Sequence, residues 1–155
     1  MRIRAAVLDR MGAPPPYAVS KPLRVAEVEL DPPGRGEVLV RIGAAGLCHS
    51  DLSVINGDRP RPVPMALGHE AAGVVEALGE DVPDLAVGDH VVMVFMPSCG
   101  HCVPCAEGRP ALCEPGAAAN GAGTLLSGGR RLHCDGVAVN HHMGCSAFAD
   151  YAVVS

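Results

Sequence analysis

The sequence predicts a mainly β fold, a barrel or sandwich with short helices, and three observations carry that expectation. Short runs rich in β-branched residues recur between turn-forming breakers along the chain. There are 19 glycines and 14 prolines among 155 residues, so corners are frequent. Aromatic residues are only 3% of the chain, which leaves Val, Leu, Ile and Ala to build the core.

The elements follow in order. IRAAVLD (3–9), LRVAEVEL (23–30), EVLVRIGAAG (37–46), GHEAAGVVEALG (68–79), DHVVMVF (89–95) and FADYAVVS (148–155) each read as a strand. In EVLVRI, Val38 and Val40 alternate with Leu39 and Arg41 after the DPPGRGE corner, the pattern of a half-buried antiparallel strand. CHSDLSVIN (48–56) is the early helix, opened by Ser50 or His49 and ended by Gly57. Residues 97–146 show no sustained period, and GAAANGAGTLLSGG (116–129) reads as a Gly/Ala-rich loop. Unstructured stretches beyond about 12–15 residues are uncommon in compact domains, so something other than packing must order this region.

Length fits one domain. A net charge of −5 gives no electrostatic footprint for nucleic acid. No apolar run approaches the ~20 residues that span a bilayer, and MRIRAAVLDRMGAPPP lacks the apolar core of a signal peptide, so no membrane partner and a cytoplasmic location are expected. Seven cysteines is an odd number, and four of them crowd one loop, which favours thiolate ligands in a reducing compartment over a stapled secreted scaffold.

That loop is PSCGHCVPCAEGRPALC (97–113), with spacing Cys99-x2-Cys102-x2-Cys105-x7-Cys113. A chain turning back this tightly can aim four thiolates at one tetrahedral zinc, about 2.3 Å from each sulfur. Gly100 and Gly108 ease the curl, while Pro97, Pro104 and Pro110 restrict the unfolded chain. A thioredoxin-like redox pair belongs near a βαβ unit, which is missing here. A bacterial ferredoxin run places its fourth cysteine after three residues and follows it with proline; Cys113 comes after seven and is followed by Glu114. Four protein ligands leave zinc no open position, so the expected site is structural.

A sparser set lies upstream: Cys48 in GLCHSDL (46–52) and His69 in LGHEAAGVVEALG (67–79), with Ser50, Asp51 and Glu70 beside them. Taken singly, Cys48 fits a buried hydrophobe and His69 a hydrogen-bonded core or loop histidine better than either fits a ligand. Order and motif add more. GLCHSDL, PMALGHEAAGVVEALGEDV, VGDHVV, the four-cysteine loop and HHMGCSAFADYAVVS (141–155) together resemble the N-terminal catalytic domain of the zinc-dependent alcohol dehydrogenases of the medium-chain dehydrogenase/reductase superfamily.

The resemblance implies a GroES-like β-barrel over residues 1–155, with zinc and NAD as cofactors and an alcohol or aldehyde as substrate. Cys48 and His69 match two ligands of the catalytic zinc, and Glu70 matches its nearby acidic residue. Asp51 matches the carboxylate that orients the ligand histidine, and Ser50 the hydroxyl that takes the alcohol proton. His49 falls where the family often places a basic residue near the cofactor pyrophosphate. A Cys2His site leaves a fourth position open, where a Lewis acid favours hydride loss from the alcohol to nicotinamide.

Departures from the pattern set further expectations. Ser53 stands where some members carry a relay histidine. The family's third ligand, a cysteine, has no counterpart here, since Cys134 and Cys145 sit at the wrong places and read as ordinary thiols. His133, His141 and His142 read as packed or solvated loop histidines. No strand leads into Gly-x-Gly-x-x-Gly, so the dinucleotide-binding half is expected to be absent and the fragment inactive alone, whereas the whole enzyme is expected to be a homo-oligomer. The insert from Gly116 to Gly144 resembles that of members acting on primary or aromatic alcohols or on formaldehyde-thiol adducts. The rival readings are a non-enzymatic zinc-binding β-barrel module and, disfavoured by the spacing, a small iron-sulfur carrier.

Overall fold

A computed structural model describes every residue from Met1 to Ser155. The fold is mainly β, with nine strands in two sheets and short helices between them. β1 (Arg2–Leu8), β2 (Leu23–Leu30), β7 (Leu132–Cys134), β8 (Val137–His141) and β4 (Met65–Ala66) close into a barrel. A second sheet runs β6 (His90–Met93), β5 (Ala71–Leu78), β3 (Val38–Ala45) and β9 (Tyr151–Val154).

Alternation sets which faces are buried. β1 and β2 pair antiparallel from Arg2 opposite Glu29 to Leu8 opposite Leu23. Ile3, Ala5 and Val7 therefore meet Ala26, Val28 and Leu30 inside the barrel, with Leu125, Leu132, Val139 and Val153 filling the rest. In β3, Val38 and Val40 are buried and Arg41 is exposed, as the alternation predicts. Val38 and Val40 pack with Ala71, Met93, Cys145 and Ala147 in a second core between the sheet and the C-terminal turn.

Helix α2 (His49–Ile55) forms where expected, but its N-cap is Cys48 rather than Ser50 or His49. The reason is reciprocal bonding: the Asp51 carboxylate turns back to accept the Cys48 backbone N–H at 3.3 Å. Val54 and Ile55 then anchor the helix on Leu8, Met65 and Leu67. Helix α1 (Tyr17–Ser20) is a single unforeseen turn.

Two expectations between 97 and 146 are corrected. The stretch read as a Gly/Ala-rich loop opens with helix α4 (Glu114–Ala122), preceded in the four-cysteine loop by α3 (Val103–Ala106) and a 3₁₀ turn at Pro110–Leu112. Pro115 sits in the first turn of α4, the Cys113 sulfur accepts the Gly116 N–H, and Gly123 closes the helix at φ +69°. Gly116 packs so closely on the Pro97 carbonyl that no side chain would fit. Further on, Asp135 and Gly136, both at positive φ, form a two-residue turn joining β7 to β8.

Candidate metal centres

The four-cysteine loop folds as the spacing requires. The sulfurs of Cys99, Cys102, Cys105 and Cys113 all lie within 4.8 Å of one another, and none is disulfide-bonded. Cys102 Sγ and Cys113 Sγ are 3.9 Å apart. A tetrahedron with sulfurs about 2.3 Å from a central zinc needs them about 3.8 Å apart, whereas a disulfide needs about 2.0 Å. The space fits one ion and is too small for a multi-iron cluster.

Backbone geometry prepares this cage. The N–H groups of Cys99 and Gly116 point at Cys113 Sγ (3.2 and 3.3 Å), and the N–H of Cys102 points at Cys99 Sγ (3.3 Å). The His101 N–H, with that of Cys102, holds Cys99 down at about 6, whereas desolvation and contact with Cys102 push Cys105 up to about 12. Four crowded thiols resist ionising together, and a dication removes that resistance. The donor set therefore fits zinc.

The second centre is assembled across the fold. Cys48 ends the segment leaving β3, and His69 and Glu70 end the segment entering β5, whose first residue Ala71 pairs with Ala45. Gly68 makes the approach possible: its φ is +92°, and a Cβ there would meet the Phe148 backbone nitrogen at 2.5 Å. One ligand atom from each of Cys48, His69 and Glu70 falls within the same 4.8 Å. His69 is buried and Glu70 exposed, with Glu70 Oε1 3.8 Å from His69 Nε2.

Asp51 controls the far side of the imidazole. Its Oδ1 lies 3.2 Å from His69 Nδ1 and accepts the Gly68 backbone N–H at 3.2 Å. Burial drives this carboxyl upward, but contact with His142, the charge of His69 and the Gly68 N–H outweigh burial and hold it below the usual carboxylate range. An ionised Asp51 requires Nδ1 of His69 to carry the proton, which leaves Nε2 as a lone pair.

Ser50 is half-buried in the first turn of α2 and His49 is exposed beside it. Ser53 donates to the His49 carbonyl at 3.1 Å and lies 3.4 Å from His49 Nδ1, so it holds that ring against the helix. Next to Glu70, an apolar cleft of about 540 Å³ is walled by Ala45, Ala71, Met93, Val94 and Phe95. The Phe95 ring stands edge-on to His69 at 6.5 Å.

The remaining cysteines lie elsewhere. Cys145 Sγ faces the Val94 carbonyl at 3.3 Å, and burial pushes it up to about 12. Cys134 packs in the barrel near Arg24. Sequence reasoning missed His142, whose Nδ1 lies 3.2 Å from the Asp51 carboxylate and whose ring stands edge-on to His69 at 5.2 Å. Its one sequence signal was the strongly apolar and small-residue setting of HHMGCSAF, which suits burial.

A family model described as the alcohol dehydrogenase GroES-like domain matches residues 34–155. S-(hydroxymethyl)glutathione dehydrogenase of Synechocystis is 40% identical over all of this chain, which spans 40% of that protein's length. Among solved structures, an alcohol dehydrogenase zinc-binding domain protein from Burkholderia ambifaria superposes with a TM-score of 0.87 at 39% identity, over 99% of this chain and 40% of that one. Benzyl alcohol dehydrogenase from Acinetobacter calcoaceticus gives 0.83 at 35% identity, over 99% of this chain and 39% of its own. No helix is long and apolar enough to cross a membrane. With a closed barrel, a four-cysteine cage and a Cys–His–Glu cluster in place, the chain belongs to the GroES-like domain family of the alcohol dehydrogenases.

Proposed function

We propose that residues 1–155 form the catalytic domain of an NAD-dependent zinc alcohol dehydrogenase, with a structural zinc at Cys99, Cys102, Cys105 and Cys113 and a catalytic zinc at Cys48 and His69. The observation that carries this reading is the convergence of Cys48, His69 and Glu70 within 4.8 Å, with Glu70 also lining an apolar cleft. When bound there, zinc supplies a Lewis acid for the alcohol oxygen.

The chain's own residues do the rest. Asp51 fixes the tautomer and direction of His69. Glu70, exposed and 3.8 Å from His69 Nε2, is free to swing toward the metal or away from it. Ser50 receives the alcohol proton and passes it outward, and His49 on the same turn meets the cofactor's pyrophosphate. Met93 and Phe95 line the cleft beside Glu70 and favour an apolar alcohol. The relatives that act on S-(hydroxymethyl)glutathione and benzyl alcohol support a primary alcohol or thiol hemiacetal as substrate. A third ligand comes from elsewhere in the full-length protein and the nicotinamide site from a further domain, in an oligomer whose reduced thiols suit the cytoplasm.

The test is alcohol-dependent NADH formation by the protein carrying this chain together with a nicotinamide-binding domain. Cys48→Ala and His69→Ala should each abolish turnover while leaving the four-cysteine zinc in place. Full activity in either variant contradicts the assignment.

A further inference from the structure

His142 is completely buried, yet both its ring nitrogens lack a well-formed hydrogen bond. Nε2 has no hydrogen-bond partner, and Nδ1 sits 3.2 Å from Asp51 Oδ1 but off the line of a straight bond. A leucine of similar volume would leave no polar atom stranded in this place. An imidazole kept there needs a reason beyond filling space.

The surroundings hold the ring firmly. The His142 N–H donates to Ser146 Oγ at 2.8 Å, and Ser146 Oγ donates to the Ala66 carbonyl at 2.8 Å. The N–H groups of Cys145 and Ser146 return to the His142 carbonyl at 3.1 and 3.2 Å. Met143 and Ser146 adopt positive φ (52° and 55°) to complete this buried turn. The turn is thus tied to β4, two residues ahead of Gly68, and it presses the imidazole on Asp51 from one side and on His69 from another.

We propose that His142 is a positioning residue for the Cys48–His69 centre: by bearing on Asp51 Oδ1 and on the His69 ring together, it holds them in the one arrangement that leaves His69 Nε2 aimed at a metal. The inference rests on reading Cys48 and His69 as metal ligands. Three groups converge on Asp51 Oδ1, namely the Gly68 N–H, His69 Nδ1 and His142 Nδ1, and together they leave that oxygen no alternative orientation. Without the His142 imidazole, Asp51 Oδ1 loses one of the three groups that bear on it, and Asp51 and His69 are free to turn even where an apolar side chain fills the space.

The chain holding zinc in its four-cysteine loop is titrated with cobalt(II), after the nitrogen-15 signals of His69 have been recorded. His142→Leu should weaken cobalt at Cys48–His69 by about 10- to 100-fold and convert His69 from a pure Nδ1–H form into a mixture. His142→Asn, whose amide nitrogen takes the place of Nδ1, should restore most of both, whereas His142→Gln, whose amide lies where Nε2 was, should not. Equal or tighter cobalt binding in His142→Leu, with His69 unchanged, overturns the proposal. Should the leucine variant not fold, equal affinities of the Asn and Gln variants overturn it instead. If the parent takes up no cobalt at Cys48–His69 while its His69 signals still depend on residue 142, the metal reading fails and the positioning role stands.

Discussion

The two centres have ligand atoms within the same 4.8 Å, yet they are built in opposite ways. The four-cysteine cage comes from one short stretch, with three of its cysteines half-buried and no strand within it. Cys48 and His69 are separated by helix α2 and β4, and they meet only because β3 and β5 pair with Ala45 opposite Ala71. A local site needs the metal to order its chain, whereas a site assembled across a sheet receives its order from the core and can leave a position open. Loss of metal should therefore matter for stability at the first and for chemistry at the second.

The largest effect is expected at the cage. Cys113 is its most buried cysteine, and Cys113→Ser should release the proposed metal and cost about 4 kcal/mol or more, lowering the melting temperature by roughly 8–16 °C. Thermal unfolding with zinc counting checks this. Cys48→Ala should move the melting temperature far less, and comparable losses from the two variants would erase the contrast.

Asp51→Asn comes next. The amide loses the charge that holds the His69 proton on Nδ1 and must set its NH2 against either the Cys48 N–H or the Gly68 N–H and His69 Nδ1, so affinity at Cys48–His69 should fall by about 10- to 100-fold while the cage keeps its zinc. Chelator competition reads both sites at once.

A smaller effect concerns acid stability, which depends on neither centre. His141 is buried, its Nε2 accepts the Arg131 backbone N–H at 3.0 Å, and burial lowers it from 6.5 to about 4; Glu37 opposes that shift while Arg130 and Arg131 add to it. Because the folded value is depressed, the stabilisation is complete above pH 6.5 and is lost as pH falls toward 4, by about 2 kcal/mol at pH 5. His141→Gln keeps an acceptor that does not titrate, so denaturant melts at pH 7 and pH 5 should differ by about that much less than in the parent. The smallest effect is Asp135→Ala: a positive φ of 52° in the β7–β8 turn should cost about 1 kcal/mol with both metal affinities unchanged.

The same contrast explains what was readable in the sequence. β1, β2 and β3 alternate because each has one buried face, and the cage was visible because its four cysteines are neighbours in the chain. Cys48 and His69 stood out only through the order of motifs, since no spacing rule links residues joined by strand pairing. Helix α4 was hidden because its run of small residues has no apolar stripe; a sulfur cap and the seat of Gly116 on Pro97 hold it instead. β8 buries Val139, Asn140 and His141 in succession, so its period is lost, although Asp135–Gly136 offered a hairpin signal. His142 depended on a turn that only the fold brings to Asp51.

The most direct measurement is anomalous diffraction at the zinc edge from crystals grown with zinc. Two peaks are expected, one enclosed by the sulfurs of Cys99, Cys102, Cys105 and Cys113, the other between the Cys48 sulfur and the His69 imidazole. A single peak in the cage, with Cys48 and His69 turned away from each other, would contradict the account.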